Sequence, residues 1–227
     1  MNSISISIPV YNNEKTILDL IKESKNILSE LTDDYEIVII NDGSSDGTKQ
    51  IIEKIAIEDH NIKIYNHFRN EGFGKTIKEV FTLPTKDLIF FIPGDGQISP
   101  QELKKLYPYW SDYEYILGLR KKRRDTLLRK IYSFLYNCLI SIIGATRVHD
   151  VNSVALLKKN ALQNISLNSR SAFIHAEIYL KLLKNGYKIK EVEIEHKPRK
   201  IGKSGATKIK VIFFTIYDLF LYILGRL

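Results

Sequence analysis

Apolar residues along this chain switch repeatedly between a spacing of two and a spacing near 3.6, the signature of alternating strands and helices. Ser3 to Val10 alternates through Ile4, Ile6 and Ile8 and predicts a first strand, closed by Pro9 into the polar turn Tyr11-Asn12-Asn13-Glu14. Thr16 to Leu31 carries Ile17, Leu20, Ile21, Ser24, Ile27 and Leu28 on one helical stripe. Glu36 to Ile40, rich in β-branched residues, predicts a second strand, and a helix follows over Thr48 to Glu58. Asn61 to Asn66 predicts a third strand and is followed by a helix running through Phe81. Asp87 to Ile92 predicts a fourth, ending in Pro93-Gly94-Asp95-Gly96-Gln97. Ser99 and Pro100 then suit the N-cap and first position of another helix. Strand–helix alternation with short polar turns implies an α/β fold, a mostly parallel sheet flanked by helices on both faces.

After about Ile116 the pattern changes to Arg/Lys clusters, an apolar helical stretch from Leu127 to Ile143, and a mixed region ending in an apolar helix over Val211 to Leu224. The expected organisation is a catalytic domain over residues 1–205, with an apolar interface helix within about 127–143, and a C-terminal amphipathic helix over 206–227. Neither apolar segment reaches the roughly 18–20 consecutive apolar residues of a membrane span, and Asp218 interrupts the second. The N-terminus enters its first strand without a positive lead-in or a long apolar core, so no signal peptide is expected.

The net charge of +8 asks for an anionic partner, and its placement narrows the choice. Arg120 to Arg124 reads Arg-Lys-Lys-Arg-Arg, Arg129-Lys130 follows, and a second basic region runs from Lys197 to Lys210. Both precede apolar segments, which favours a membrane surface. A nucleic-acid partner is not expected, because the basic runs lack interleaved stacking aromatics. A lone cysteine, Cys138, excludes an internal disulfide, and its apolar surroundings suit a buried thiol better than a nucleophile.

Three polar turns close successive strands: Pro9 to Glu14, Asn41-Asp42-Gly43, and Pro93 to Gln97. At the carboxyl ends of parallel strands they face one crevice, where open α/β sheets bind ligands. The second turn, continuing as Ser44-Ser45-Asp46-Gly47-Thr48, also fits a β-turn leading to a helix cap by Ser45 or Asp46. Neither a Walker-type phosphate loop nor a Gly-x-Gly-x-x-Gly after the first strand is present. Acidic turns in place of a glycine cradle suit a divalent metal bridging a diphosphate.

Pro9-Val10-Tyr11-Asn12-Asn13-Glu14, Asn41-Asp42-Gly-Ser-Ser-Asp-Gly-Thr48, Arg69-Asn70-x-Gly72-x-Gly74 and Gly94-Asp95-Gly96-Gln97 together resemble family 2 glycosyltransferases of the GT-A (Rossmann-like) fold. The chain is similar to their dolichol-phosphate mannosyltransferase-like, polyprenyl-phosphate branch, and Gly118-Leu119-Arg120, Asp150-Val-Asn-Ser153 and Glu191 to His196 fit as well. The resemblance implies that Pro9, Tyr11, Glu14, Asn70, Lys75 and Gly94 line a nucleotide-sugar pocket and that Asp42 holds the base or ribose. It implies Mg²⁺ or Mn²⁺ at Asp95 and Gln97, with Arg199 and Ser204 in a loop over the donor. Arg120, Arg129 and Ser133 would receive an acceptor phosphate. Asp95, Arg120 and Arg129 would carry the chemistry, joined by Asp150 as base if the acceptor is a hydroxyl. Pro93 stands where the family usually has a first metal-binding Asp, and Asn41 replaces one Asp of the second turn.

The resemblance implies inverting transfer from a UDP- or GDP-sugar to a polyprenyl phosphate by an enzyme held peripherally on the cytoplasmic face of the membrane. A sugar-hydroxyl acceptor in polysaccharide or glycolipid synthesis, and a non-catalytic nucleotide-sugar or lipid-binding module, stay open. The apolar helices equally suit ordinary core or dimer packing, so a homo-oligomer is open too.

Overall fold

The computed structural model of the chain describes residues 2–120, 127–198 and 209–227. The predicted first half is present: β1 (Ile4–Val10), α1 (Ile17–Leu31), β2 (Tyr35–Asn41), α2 (Thr48–Glu58), β3 (Ile62–Asn66), α3 (Phe73–Thr82) and β4 (Leu88–Phe91). β1 pairs in parallel with both β2 and β4, and β2 with β3. The expected helix at Ser99 opens as a 3₁₀ turn over Pro100–Glu102, with the Ser99 hydroxyl accepting from the Gln101 N–H, before the short α4 (Leu103–Leu106).

The second half extends the same sheet. β5 (Tyr115–Arg120), β6 (Ala155–Lys158) and β7 (Ile189–Ile194) complete seven strands in the order β3-β2-β1-β4-β6-β5-β7. β6 runs antiparallel between β4 and β5, while β7 pairs in parallel with β5. Reversing one strand returns β5 to the direction of β4, so Arg120 and Asp95 end at the same edge. The start of β6, just after Asp150, lies there too.

Side-chain alternation divides the core between the two sheet faces. Ile6, Ile37, Ile39 and Phe90 pack with α1 and with Ile52 of α2. Val38, Ile40, Ile89, Phe91 and Leu117 pack with α3 and with α7 (Ile174–Lys184), which follows the short α6 (Lys159–Gln163). β1 shows why a two-residue period does not mean one wet face. Ser5 and Ser7 are as buried as the isoleucines between them, because helices cover both faces of a central parallel strand. The Ser5 hydroxyl donates to Glu36 Oε1 at 2.7 Å. Glu36 also pairs with Lys63 at 2.6 Å; although burial opposes its charge, that contact and those from Thr85 and Ser5 hold its pKa down at about 2.

α5 (Leu127–Ile143) and α8 (Ile209–Ile223) behave differently from the other helices. Ile140 of α5 and Leu219 of α8 reach the core, yet Phe134, Leu135, Ile142, Phe213, Ile216 and Phe220 stand largely exposed. Asp218, the charge inside α8, is buried and accepts the Arg170 N–H at 3.0 Å. α8 therefore turns its one acid inward and an apolar face outward. Among the described residues no helix is long and apolar enough to cross a membrane.

Candidate active site

The first two turns are stitched together by side chains. Asn12 adopts a positive φ of 55°, and its amide oxygen accepts the Ser45 N–H at 2.8 Å. The Asn12 N–H donates to Ser44 Oγ, the Asn13 N–H to Thr48 Oγ1, and the Glu14 N–H to Asp46 Oδ2. Glu14 Oε2 accepts the Gly47 N–H at 2.9 Å, and Asp46 Oδ1 accepts the Thr48 N–H at 3.0 Å. Two carboxylates thus satisfy amides at the positive end of α2. The contacts from Thr48 and Glu14 outweigh burial and lower the Asp46 pKa. Capping and site-building coexist in this segment. Tyr11 is half exposed, and its N–H donates to Asn13 Oδ1 at 3.0 Å.

Asp42 points into the protein. Its Oδ1 accepts the Glu71 N–H at 2.8 Å and its Oδ2 the Gly72 N–H at 3.2 Å, while His67 Nδ1 lies 2.8 Å from Oδ1. The Arg69–Gly72 loop passes so close to Gly43 that an added Cβ would lie 2.4 Å from the Arg69 carbonyl carbon. Asn70 rides on this loop in the open. Lys75 lies 2.7 Å from Glu71 at the head of α3, and that hydrogen bond raises its pKa.

The third turn is pressed against the first. The Gly94 N–H donates to Pro9 O at 3.2 Å, and a Cβ on Gly94 would lie 2.8 Å from that oxygen. Asp95 Oδ1 accepts the Gln97 N–H at 3.1 Å, and Gly96 at φ 70° lets the chain curl around it. The Lys197 N–H donates to Gln97 O at 2.8 Å, and the Gln97 side chain donates to Lys197 O at 3.4 Å. The chain after β7 is thereby tied beside Asp95. Arg199 and Ser204 lie outside the described residues, as does Lys121 to Arg124. Among the described residues no group of three or more His, Cys, Asp or Glu side chains is gathered for a metal.

At the end of β5 the Arg120 guanidinium grips Asp150 with two contacts, Nε–Oδ2 and Nη2–Oδ1, each 2.7 Å. Its Nη2 also donates to Asn152 O at 3.1 Å. Arg120 is 10% and Asp150 2% exposed at the side chain, so both charges are withdrawn from water. The structure pairs Asp150 with a cation and does not present it as an isolated base. Glu191 on β7 accepts the N–H groups of His149 and Asp150 and lies 2.5 Å from His149 Nδ1. Asn137 of α5 donates to His149 O and accepts from Val151, locking α5 to the same loop. Arg129 and Ser133 stand eight and four residues before it on that helix face, half-buried.

The sequence pattern does not single out His67, Glu79 or Asn137. His175 sits between Phe81 and Phe91, and burial pushes its pKa down to about 3. No periodicity marks a bridging histidine; its only signal is a polar residue one step beyond a strand end.

Residues 5–165 match the profile of Glycosyl transferase family 2. The chain belongs to that family. It is a glycosyltransferase with the expected α/β architecture. Among curated relatives of this family 2 enzyme, the undecaprenyl-phosphate 4-deoxy-4-formamido-L-arabinose transferase of Proteus mirabilis is 28% identical over 225 residues, spanning 96% of this chain and 67% of the relative. The same-named enzyme of Photorhabdus laumondii is 29% identical over 226 residues, with the same coverage. In fold, glucosyl-3-phosphoglycerate synthase from Mycobacterium tuberculosis, solved with Mn²⁺, uridine diphosphate and phosphoglyceric acid, superposes with a TM-score of 0.74 at 14% identity, covering 99% of this chain and 78% of that one.

Proposed function

We propose that the enzyme transfers a sugar, with inversion, from a UDP- or GDP-sugar to a polyprenyl phosphate at a membrane surface. The observation that carries this reading is the gathering of the Asp42 turn, the Asp95–Gln97 turn and the Arg120–Asp150 pair at one sheet edge, beside a helix whose outer face is apolar. The relatives named for undecaprenyl phosphate support the acceptor class.

The donor nucleotide would lie along Pro9, Tyr11, Glu14 and the Asp42 turn, with Asn70, Lys75 and Gly94 at its borders and Arg199 and Ser204 closing over it. The acceptor phosphate would approach Arg129 and Ser133 on α5, and Arg120, beside Asp150, would border the same site. A phosphate oxygen attacks the anomeric carbon while the bond from that carbon to the nucleoside diphosphate breaks. The attacking oxygen is already ionised at neutral pH, so this reaction needs no general base and suits an Asp150 committed to Arg120.

The donor set fits Mg²⁺ or Mn²⁺ only as a shared site. Asp95 offers one carboxylate on a tight turn, with Gln97 beside it, and magnesium commonly takes few protein ligands and completes its shell with phosphate oxygens and water. When bound, such a cation neutralises charge on the leaving diphosphate. Exposed α5 and α8 would hold the enzyme peripherally on the cytoplasmic face, with 1–205 as the catalytic unit and 206–227 as an anchoring helix.

A screen of UDP- and GDP-sugars with polyprenyl phosphate or glycolipid hydroxyl acceptors, with and without Mn²⁺, tests the proposal. Transfer should require lipid phosphate and the cation, and Asp95→Ala should abolish it without unfolding the protein. Undiminished transfer by Asp95→Ala overturns the metal assignment, and transfer only to hydroxyl acceptors overturns the acceptor.

A further inference from the structure

His67 stands just beyond β3, and its side chain is 8% exposed. Ring Nδ1 lies 2.8 Å from Asp42 Oδ1, and Nε2 lies 2.6 Å from Glu79 Oε2 on α3. An ionised carboxylate only accepts hydrogen bonds, so an imidazole that bonds to both carries a proton on each nitrogen and a positive charge. Burial opposes that charge, but the hydrogen bonds to Asp42 and Glu79 outweigh it and raise the ring's pKa above the ordinary value. The His67 N–H donates to Asn41 O at 2.9 Å, which docks the backbone to the same turn.

Charged groups from three elements surround the ring. Asp42 comes from the end of β2, Glu79 and Lys75 from α3, and Glu71 and Arg69 from the intervening loop. Glu53 of α2 reaches the neighbourhood through Asn66. Lys75 Nζ is 3.9 Å from Glu79 Oε1 and 2.7 Å from Glu71, so it is shared between those acids. Asp42 in turn holds Glu71 and Gly72, the two amides leading into α3. His67 therefore closes a ring: β2 turn, imidazolium, α3, loop, and back to Asp42.

We propose that His67 is a positioning residue for donor binding, a two-proton strut that straps the Asp42 turn to α3 and keeps the Arg69–Gly72 loop in its nucleotide-binding shape. A singly protonated ring has one donor for two acceptors. One nitrogen lone pair then faces a carboxylate, that contact opens, and nucleotide affinity falls. The proposal rests on the crevice being the donor site.

Glu79→Gln isolates the effect. Its amide can donate to Nε2 while Nδ1–H still donates to Asp42, so a neutral ring keeps both contacts. ¹⁵N NMR of the imidazole at neutral pH should show both His67 nitrogens protonated in the wild type. UDP and GDP are then titrated, with Mg²⁺, into wild type, Glu79→Gln and His67→Phe across the pH range in which the ring signal reports loss of the second proton. Wild-type affinity for the nucleotide that binds should fall about fivefold or more through that range, roughly the worth of one lost contact. Glu79→Gln should remove the step while binding within about twofold of wild type at neutral pH, and His67→Phe should bind weakly at every pH with no step. A neutral His67 in the wild type, a step that persists in Glu79→Gln, or wild-type affinity in His67→Phe overturns the strut. Failure of the wild type to bind either nucleotide while the ring is doubly protonated overturns the donor-site reading instead, and the proposed role falls with it.

Discussion

Removing the Asp150 carboxylate should unfold this enzyme more readily than removing almost any other polar group at the sheet edge. The carboxylate is nearly sealed from water and receives two short contacts from the Arg120 guanidinium, with the Arg120 N–H at 3.3 Å as a third. Asp150→Ala takes the Asp150 carboxylate away from a buried guanidinium, and breaking a buried pair from one side costs about 3–5 kcal/mol in comparable cases. For a chain of this size, that lowers the melting temperature by roughly 6–20 °C. The desolvation penalty, not the attraction, dominates this number, and that makes a sharper test possible. Replacing both partners, as Arg120→Met with Asp150→Leu, should recover most of the loss, because an apolar pair of similar volume needs no solvation. The same double variant should stay inactive if Arg120 serves the acceptor phosphate. Urea unfolding followed through Trp110 fluorescence, run on both single variants and the double, gives the coupling energy. Asp150→Ala within about 0.5 kcal/mol of wild type, or a double variant no better than the worse single, refutes the argument.

Other outcomes follow from single features. Gly43→Ala forces a side chain into the left-handed region at φ 66° and against the Arg69 backbone; calorimetry should show weaker nucleotide binding, and denaturation a loss of at least about 1–2 kcal/mol. His175 is held neutral with its pKa near 3, so the unfolded chain binds the extra proton first; its stabilising effect is complete above the ordinary histidine pKa and declines as pH falls toward about 3. His175→Phe should flatten that acid limb in stability measurements from pH 7 downward. Phe213→Ser with Phe220→Ser should reduce co-sedimentation with anionic vesicles several-fold while leaving the melting temperature nearly unchanged, since both side chains are exposed.

The first four strands and three helices were legible because each carries a clean apolar period and a polar turn. The boundaries at Thr48–Glu58 and Asn61–Asn66 differ from the structure by at most one residue. β5, β6 and β7 were not read as strands of the sheet. Ala155–Lys158 is four residues long, too short for a period to declare itself, and Lys190, Glu191 and Glu193 make β7 look like a surface segment. The local chemistry of the turns was visible as composition, but the orientation of each carboxylate was not. Asp42 turns inward to hold a loop, Glu14 reaches across to α2, and Asp150 closes on Arg120.

By itself, then, the amino-acid sequence determined the class of fold, the family and the segments that carry the polar turns, because these depend on short-range periodicity and on residue types at fixed spacing. Only the tertiary structure decided which turns meet, which acids are spoken for and which helix faces remain apolar and open. Those depend on contacts such as Arg120 with Asp150 and His67 with Asp42, between residues 30 and 25 positions apart, whose pairing no local pattern encodes.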